Sequence, residues 1–312
     1  MRSWTQIKKA EHGTADWLAQ RWALPSGEKL VGASQVAAIF GAHPYTTPEE
    51  LAAELLAPRP PEPSPMTDVM ERGVWLEPVL IERANIMLGR FFETPSELFV
   101  YCEDNARMVA TLDGFDGSEV LEVKTTTRDW TGELPSHWYH QGVQQAICAN
   151  VDHVNWCVFD RSQTVKLHRQ YVSSDEKAEH IKAVGEWLSY IDMGVPPEGV
   201  SWTRDTVETR YPDVAREVTE LGPRGHDLVF ELVALKRDEK ALTEKRSRIE
   251  GDLCDLLGDA GTGTVNGEVV VTWKSQTRKS LDQKALKEAH PDLVEQYTKE
   301  SSYRVLRTKG NQ

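Results

Sequence analysis

The residues whose types and spacing could do chemistry are Asp113, Glu122 and Lys124. Glu122 and Lys124 lie two positions apart in the segment EVLEVKT, and side chains two positions apart on a strand point to the same face. Asp113 ends the preceding segment, just before a turn that contains glycine. If the two segments pair as a hairpin, the Asp113 carboxylate reaches Glu122. The pattern therefore predicts two carboxylates and an amine around one space.

Such a cluster suits a magnesium ion, with Mn²⁺ as a substitute. Two carboxylates and the main-chain carbonyl of Val123 would be hard oxygen ligands of the kind that Mg²⁺ prefers. Lys124 could orient or deprotonate an attacking water while the ion stabilises charge that develops on a phosphate. The three residues alone are weak evidence, because alternating Glu and Lys is also typical of a solvated strand face.

The elements that must position this cluster follow from the pattern of apolar residues. Helices are expected over 46–56 and, after a proline-rich loop at 57–65, for about 18 residues from Asp68. The segments ELFVYCE, RMVATLDGF and EVLEVKTT predict strands, and 136–149 predicts a helix. A hairpin, HVNWCVF with TVKLHRQYV, and a helix to about Met193 complete the series. This order predicts an α/β fold with a central mixed sheet flanked by helices.

The last third of the chain has a different character. GVPPEGVSW is the best linker candidate, which divides the chain into a domain at 1–193, a linker at 194–204 and an extension at 205–312. In the extension, leucine or isoleucine recurs every seventh residue from Leu228 to Leu256, which predicts one long helix with a narrow apolar seam. Asn266-Gly267 predicts a β-hairpin beyond it. The residues of this α+β extension do not indicate its role.

Composition and charge limit the classes of protein. The net charge is −13, whereas a nucleic-acid binder normally shows a basic footprint, so charge does not support such a role. The four cysteines lie far apart, which disfavours structural zinc and iron–sulfur sites. The sequence has no apolar run of the roughly 20 residues that span a bilayer, and its start lacks a signal-peptide core. We expect a cytoplasmic protein with no membrane partner.

Motifs in a particular order make the cluster specific. W-L-x-x-R, G-A-S and H-P-Y-T-T-P precede RGVWLEP, and ATLDGF, LEVKTTTRDW and WYHQGVQQ follow. Together, over about residues 14–160, they resemble the YqaJ-like viral recombinase family, relatives of phage lambda exonuclease within the PD-(D/E)XK nuclease superfamily. The resemblance implies a restriction-endonuclease-like core. It also implies that Glu77, Asp113 and Glu122, with the Val123 carbonyl, bind the metal, that Lys124 handles the water, and that Gln141 supports the site.

The resemblance also implies a pocket for the 5′-phosphate of a DNA end, formed by Arg21, Ser34 and Arg128. Simpler interpretations exist for two of these residues. Ser34 is equally suited to capping a short helix, and Arg128 to being a charge on a loop.

The function implied by the resemblance is a metal-dependent 5′→3′ exonuclease that resects linear double-stranded DNA for recombination by single-strand annealing. Its partners would be DNA ends, a single-strand annealing protein and copies of itself, a ring being one form. It would be encoded by a phage or prophage and act in the bacterial host cytoplasm. The alternatives are a structure-specific or restriction-like endonuclease, which would also cut closed circles, a DNA-end-binding module without catalysis, and a structural phage protein.

Overall fold

The computed structural model describes residues 3–214, 217–298 and 304–308. The chain divides into two compact units, Met1–Pro212 and Asp213–Gln312. None of the described helices is both long enough and apolar enough to cross a membrane.

Eight strands of the first unit form two four-stranded sheets. The first sheet has the order β1-β3-β4-β2, and β2 pairs with β4 in parallel. The second has the order β5-β6-β7-β8, and its central pair, β6 and β7, is parallel. The strands are β1 (Trp4–Lys8), β2 (Val31–Gly32), β3 (Glu97–Glu103), β4 (Ala106–Ala110), β5 (Gly114–Phe115), β6 (Val120–Thr125), β7 (His153–Phe159) and β8 (Val165–Tyr171). The predicted α/β class is confirmed, with the strands divided between two sheets.

Most α-helices of this unit begin after a residue whose side chain caps them, although the helix that follows Pro135 has no side-chain cap. Thr47 and Ser173 each form a capping box, with Glu50 and Glu176 respectively, and Thr67 caps the helix that follows the proline-rich loop. The helices are α1 (Ala15–Trp22), α2 (Pro48–Leu56), α3 (Asp68–Leu88), α4 (Ser136–Ala149), α5 (Ser174–Asp192) and α6 (Arg204–Arg210).

The second sheet lies between α3 and α4. On one face, Leu121 and Cys157 pack with Leu80 and Ile81 of α3. The opposite face carries Val120, Val154 and Trp156, which belong to the main core together with Val143 and Ile147 of α4. Since side chains alternate along a strand, Glu122 and Lys124 share the face of Val120 and point toward α4.

One glycine sets how closely α4 approaches the sheet. A Cβ built on Gly142 would overlap the side-chain oxygen of Gln170 and lie 2.9 Å from the Trp156 ring. Gln170 in turn donates to the Tyr139 carbonyl and accepts from the Trp156 indole. Because glycine has a hydrogen atom in place of a side chain, α4 can lie directly against β7 and β8 at this point.

The boundary between the compact units falls at Pro212, whereas the sequence predicted a linker at 194–204. Val200 and Trp202 pack against the main core, Thr206 of α6 is buried, and Arg210 donates to the Gly194 carbonyl. The 194–204 segment thus packs on the first unit, because its apolar side chains Val200 and Trp202 contact the main core.

The second unit contains the predicted long helix and hairpin. The helix is α7 (Gly222–Leu257), and β9 (Thr262–Val265) pairs antiparallel with β10 (Glu268–Thr272). Asn266 and Gly267 join them with φ of 53° and 85°, as a tight hairpin turn requires. Two short helices follow, α8 (Gln283–Ala289) and α9 (Pro291–Tyr297).

Candidate active site

A cavity of about 420 Å³ in the first unit brings most of the predicted site residues together. Its lining includes seven of them: Arg21, Ser34, Glu77, Asp113, Glu122, Lys124 and Gln141. Lys9, His12 and Trp17 line it as well, although the sequence did not single them out as site residues. The residues come from α1, α3, β6, α4 and loops of this unit, including the loop between β1 and α1, so the cavity depends on contacts between distant segments.

Glu122 is the most firmly held of the carboxylates. Its side chain is only 4% exposed, and Gln141 and Gln145 of α4 donate to its two oxygens at 2.6 and 2.5 Å. Lys124 lies 2.6 Å from the oxygen that Gln141 also contacts. The contacts arise because Glu122 and Lys124 share a strand face, and because residues four apart on α4 share a helix face.

Asp113 is held at the point where the two sheets separate. β5 pairs with β6 only as far as Leu121, which leaves the edge of β6 open beyond that residue. The Val123 amide on this edge donates to an Asp113 carboxylate oxygen at 2.8 Å, and Thr94 donates to the Asp113 carbonyl at 3.0 Å. The predicted approach of Asp113 to the Glu122 strand is thus made through the main chain of β6.

Glu77 approaches the cavity from α3, one residue before Pro78. Burial raises the pKa of Glu77, and the nearby Glu122 raises it further, while Lys9 and Lys124 act in the opposite direction. The three carboxylates therefore face one another across the cavity from α3, the loop before β5, and β6.

The electrostatics at the end of the cavity that holds the three carboxylates, the carboxylate end, favour a bound cation. Burial raises the pKa of Asp113 well above its usual value, and repulsion from Glu122 and Glu77 adds to the effect. Burial alone would lower the pKa of Lys124, but attraction to Glu122 and Asp113 outweighs it and raises that pKa. Lys124 is therefore protonated and acts as a counter-ion for Glu122 and Asp113. The carboxylates crowd a partly buried space, which disfavours their own ionisation, and a nearby cation relieves that repulsion.

The other end of the cavity carries positive charge. Arg21 of α1 donates to the Ser34 hydroxyl at 2.8 Å, and its guanidinium lies 4.3 Å from the centre of the Trp17 ring. Burial lowers the pKa of Arg21 to about 10, so the group stays charged at neutral pH. Ser34 does not cap a helix: the single 3₁₀ turn Val36–Ala38 begins after Gln35, without a side-chain cap. The hydroxyl instead faces Arg21.

Arg128 lies apart from this group. It is exposed in the loop after β6, where its amide donates to the Thr126 hydroxyl, and it is absent from the described lining of the cavity. The resemblance grouped Arg128 with Arg21 and Ser34, and the structure brings only the latter two into contact.

Sequence reasoning did not assign Gln145, Trp17, Lys9 or His12 to the site. Two of them had a usable signal: Gln145 is four residues from Gln141, and Trp17 is four residues from Arg21, so each pair shares a helix face. Lys9 and His12 lie in the loop between β1 and α1. No pattern along the chain connects that loop with β6.

The donor set matches Mg²⁺ in its chemistry. Within residues 3–214, 217–298 and 304–308, no three or more His, Cys, Asp or Glu side chains are gathered in a ready-made metal cage. Mg²⁺ does not need such a cage, because it retains several waters and is commonly bound through one or two carboxylates. Glu77, Asp113 and Glu122 supply hard oxygen donors, and their mutual repulsion would be relieved by a divalent cation.

A larger groove elsewhere in the first unit lacks this chemistry. It measures about 870 Å³ and lies along α2, the proline-rich loop and α6. Its acidic residues include Glu50, which caps α2, and Glu54, which accepts from Gln35 at 2.8 Å. Its described lining contains one arginine, Arg59, and no lysine. The smaller cavity is therefore the better candidate for an active site.

Comparisons with known proteins found several chains to which this one is similar. YqaJ of Bacillus subtilis strain 168, an uncharacterized protein, is 22% identical over 320 residues, covering 95% of this chain and 94% of YqaJ. The alkaline exonuclease LHK-Exo of Laribacter hongkongensis is 20% identical, with a TM-score of 0.46 over 58% of this chain and 93% of the other. A phage-related exonuclease from Haemophilus somnus 129PT is 12% identical, with a TM-score of 0.39 over 53% of this chain and 95% of the other.

The match to a family model is the most direct of these comparisons. It spans residues 16–152, which include all of α1 except its first residue, α2 to α4, β6 and every predicted site residue. The segment agrees closely with the region, about residues 14–160, in which the motifs were recognised. Residues 16–152 of this chain match the model of the YqaJ-like viral recombinase domain.

Proposed function

We propose that this chain is a metal-dependent exonuclease that degrades one strand of linear double-stranded DNA from its 5′ end. The observation that carries the proposal is the composition of one cavity. Three carboxylates and Lys124 lie at one end, and the Arg21–Ser34 pair lies at the other. A scissile phosphodiester and a terminal phosphate are the two groups that such ends would bind.

The protein's own groups would hold and orient the reactants. Lys124, bonded to Glu122, is placed to donate to a phosphate oxygen or to the attacking water. Gln141 and Gln145 hold the Glu122 carboxylate in one orientation at the cavity that Glu122 lines. Fixed groups of this kind stabilise developing charge without reorganisation during the reaction.

Mg²⁺, with Mn²⁺ as a substitute, is the cofactor that we propose for the carboxylate end. Glu77, Asp113 and Glu122 would hold it, with the Val123 carbonyl as a further oxygen donor. The bound ion would lower the pKa of a water and neutralise charge on the phosphate. It would also offset part of the chain's negative charge at the place where DNA must approach.

The cation end supports the polarity that we propose. Arg21 presents a planar guanidinium, which suits two-point binding of a terminal phosphate, and the Ser34 hydroxyl adds a further donor. A 5′-phosphate held there would leave the first phosphodiester to lie toward Lys124. Arg128, on the exposed loop after β6, is proposed to contact the DNA backbone outside the cavity.

The test uses linear duplex DNA with either 5′-phosphate or 5′-hydroxyl ends, together with a closed circle of the same sequence. We expect Mg²⁺-dependent release of mononucleotides from the linear DNA, faster with a 5′-phosphate, and no cutting of the circle. Cutting of the circle would favour the restriction-like endonuclease. Binding to DNA ends without hydrolysis in either Mg²⁺ or Mn²⁺ would favour the end-binding module.

The biological role that we propose is end resection in a phage or prophage recombination system, in the cytoplasm of a bacterial host. The product, a 3′ single strand, is the substrate of a single-strand annealing protein, which is the proposed functional partner. A ring of several copies would retain the DNA between cuts. Processivity measured with an excess of unlabelled competitor DNA tests that form, since a non-enclosing enzyme would exchange to the competitor between cuts.

A further inference from the structure

The long helix of the second unit carries an apolar seam that the described residues leave open. The seam consists of positions a and d of a seven-residue repeat along α7: Leu228, Leu232, Leu235, Glu239, Leu242, Arg246, Ile249, Leu253 and Leu256. Most of its leucines are strongly exposed, including Leu242 at 67% and Leu256 at 84%. The helix has no buried residue. A seam of this length, roughly 40 Å from end to end, is costly to leave in water.

The repeat is typical of a helix that packs on another helix. A spacing of 3.5 residues keeps the seam facing one partner along its whole length, whereas a helix that packs on a globular core has a wider apolar face. The charged side chains that flank the seam, such as Lys236, Lys245 and Glu250, suit the borders of a helix pair. The partner is therefore another long helix with a narrow apolar seam.

Two charged residues within the seam indicate which helix that is. Glu239 and Arg246 occupy core positions three residues before and four residues after Leu242. In a parallel pair of identical helices, each would face its own copy, so that Glu would oppose Glu and Arg would oppose Arg. Reversing one helix about Leu242 exchanges the two positions and brings each Glu239 within about one turn of the partner's Arg246. The seam is complementary to itself in the antiparallel direction only.

We propose that α7 pairs with α7 of a second copy of this chain as an antiparallel two-stranded coiled coil, with Leu242 near the two-fold axis. Antiparallel pairing makes the contact isologous, since both copies use the same surface, and this contact joins two copies only. Polar residues at a few core positions lower the stability of such a pair but specify its direction. This pairing does not depend on the proposed nuclease activity.

The first experiment measures the mass of the full-length protein by sedimentation equilibrium at micromolar concentrations. Leu242→Asp is expected to halve the mass of the wild-type assembly, because it places a charge at the centre of the seam. Ala241→Asp adds the same charge to an exposed position of the same helix outside the seam, and it should keep the wild-type mass. Circular dichroism confirms that both variants fold. A mass that is the same in wild type and Leu242→Asp would overturn the proposal.

The second experiment tests the direction of the pair by reversing charges. Glu239→Arg and Arg246→Glu should each weaken association about tenfold, since every dimer then has two like-charged contacts in place of two attractive ones. The double variant should recover the wild-type dissociation constant. A parallel pair would respond differently, because each single reversal only replaces one like-charged pair by another. Unchanged association in both single variants, or no recovery in the double variant, would overturn the antiparallel arrangement.

Discussion

The two ends of the candidate cavity are built in different ways. At the carboxylate end, Glu122 is almost fully buried and receives three polar contacts from α4 and its own strand. At the cation end, Ser34 is exposed, and Arg21 is held by one hydrogen bond and by its position over Trp17. One end is fixed by several contacts from packed secondary structure, while the other has a half-buried arginine that rests on an aromatic ring and bonds one hydroxyl.

The difference suggests a division of roles. Groups that stabilise a developing charge are effective when they are fixed in advance, which describes the carboxylate end. A group that selects a substrate by its terminal phosphate can tolerate some adjustment, which describes the cation end. Substitutions at the first end should therefore affect the rate of cleavage, and substitutions at the second should affect the choice of DNA end.

The largest effect is expected from Lys124→Ala and from Asp113→Asn. Each should lower the single-turnover rate of cleavage by roughly a thousandfold or more, because it removes a group that the proposed reaction places against the reactants or the metal. Quenched-flow digestion of 5′-phosphorylated duplex DNA measures this rate. Lys182→Ala, on the exposed face of α5, is the matched control and should leave it unchanged. Wild-type cleavage by either site variant would remove that residue from the proposed chemistry.

A smaller effect is expected from Gln145→Leu, which deletes a donor to Glu122 and keeps the volume of the side chain. Loss of such a supporting contact typically costs 10- to 100-fold in metal affinity or activity, so we expect about that loss in a Mg²⁺ titration.

The neighbouring Gln144 provides the comparison for this result. It is equally buried, but it donates to the main-chain carbonyls of Val31 and Val109 and does not contact Glu122. Gln144→Leu should lower the free energy of unfolding by about 1–3 kcal/mol and leave the activity per folded molecule intact. Equal losses of activity in the two variants would mean that both glutamines serve only the fold.

Arg21→Ala should have a narrower effect still. We expect the preference for 5′-phosphate over 5′-hydroxyl ends to fall by about tenfold, while cleavage of 5′-hydroxyl DNA stays near the wild-type rate. Arg21→Lys should restore part of the preference, because a lysine keeps the charge but not the planar geometry. Arg83→Ala, an exposed substitution on α3, is the control. An unchanged preference in Arg21→Ala would place the phosphate elsewhere.

The smallest effect is expected at Arg128. Since it is exposed and lies outside the described lining of the cavity, Arg128→Ala should weaken DNA binding by less than about threefold and leave the end preference unchanged. Measurements at two salt concentrations separate a backbone contact from a phosphate pocket. If Arg128→Ala removed the end preference more completely than Arg21→Ala, the assignment of the two arginines would be reversed.

The local parts of the fold could be predicted from the sequence because their signals are local. Capping boxes, the Asn-Gly turn and the alternation of apolar residues led to helices and strands that agree with the structure, among them α4, β3 and β7. The predicted placement of Glu122 and Lys124 on one strand face required nothing beyond that alternation, and it is confirmed by their 2.6 Å contact.

The parts that escaped prediction depend on contacts between distant segments. The helix expected to begin at Ser34 is a single 3₁₀ turn, and the Ser34 hydroxyl accepts from Arg21, thirteen residues away in the chain. The composition of the 194–204 segment is typical of a linker, but its Trp202 side chain packs against the main core. Lys9 and His12 reach the cavity only because β1 joins the edge of the first sheet beside β3.

Gly142 has a consequence for anyone who selects or engineers variants of this chain. It lies between the two glutamines that hold Glu122, yet it makes no polar contact with the site, and its importance is the absence of a single carbon atom. A methyl group there must displace the Gln170 and Trp156 side chains or push α4 away from β7, and any shift of the helix moves the glutamines with it. Temperature-sensitive alleles in a genetic screen, active at low and inactive at high temperature, should therefore include substitutions of Gly142.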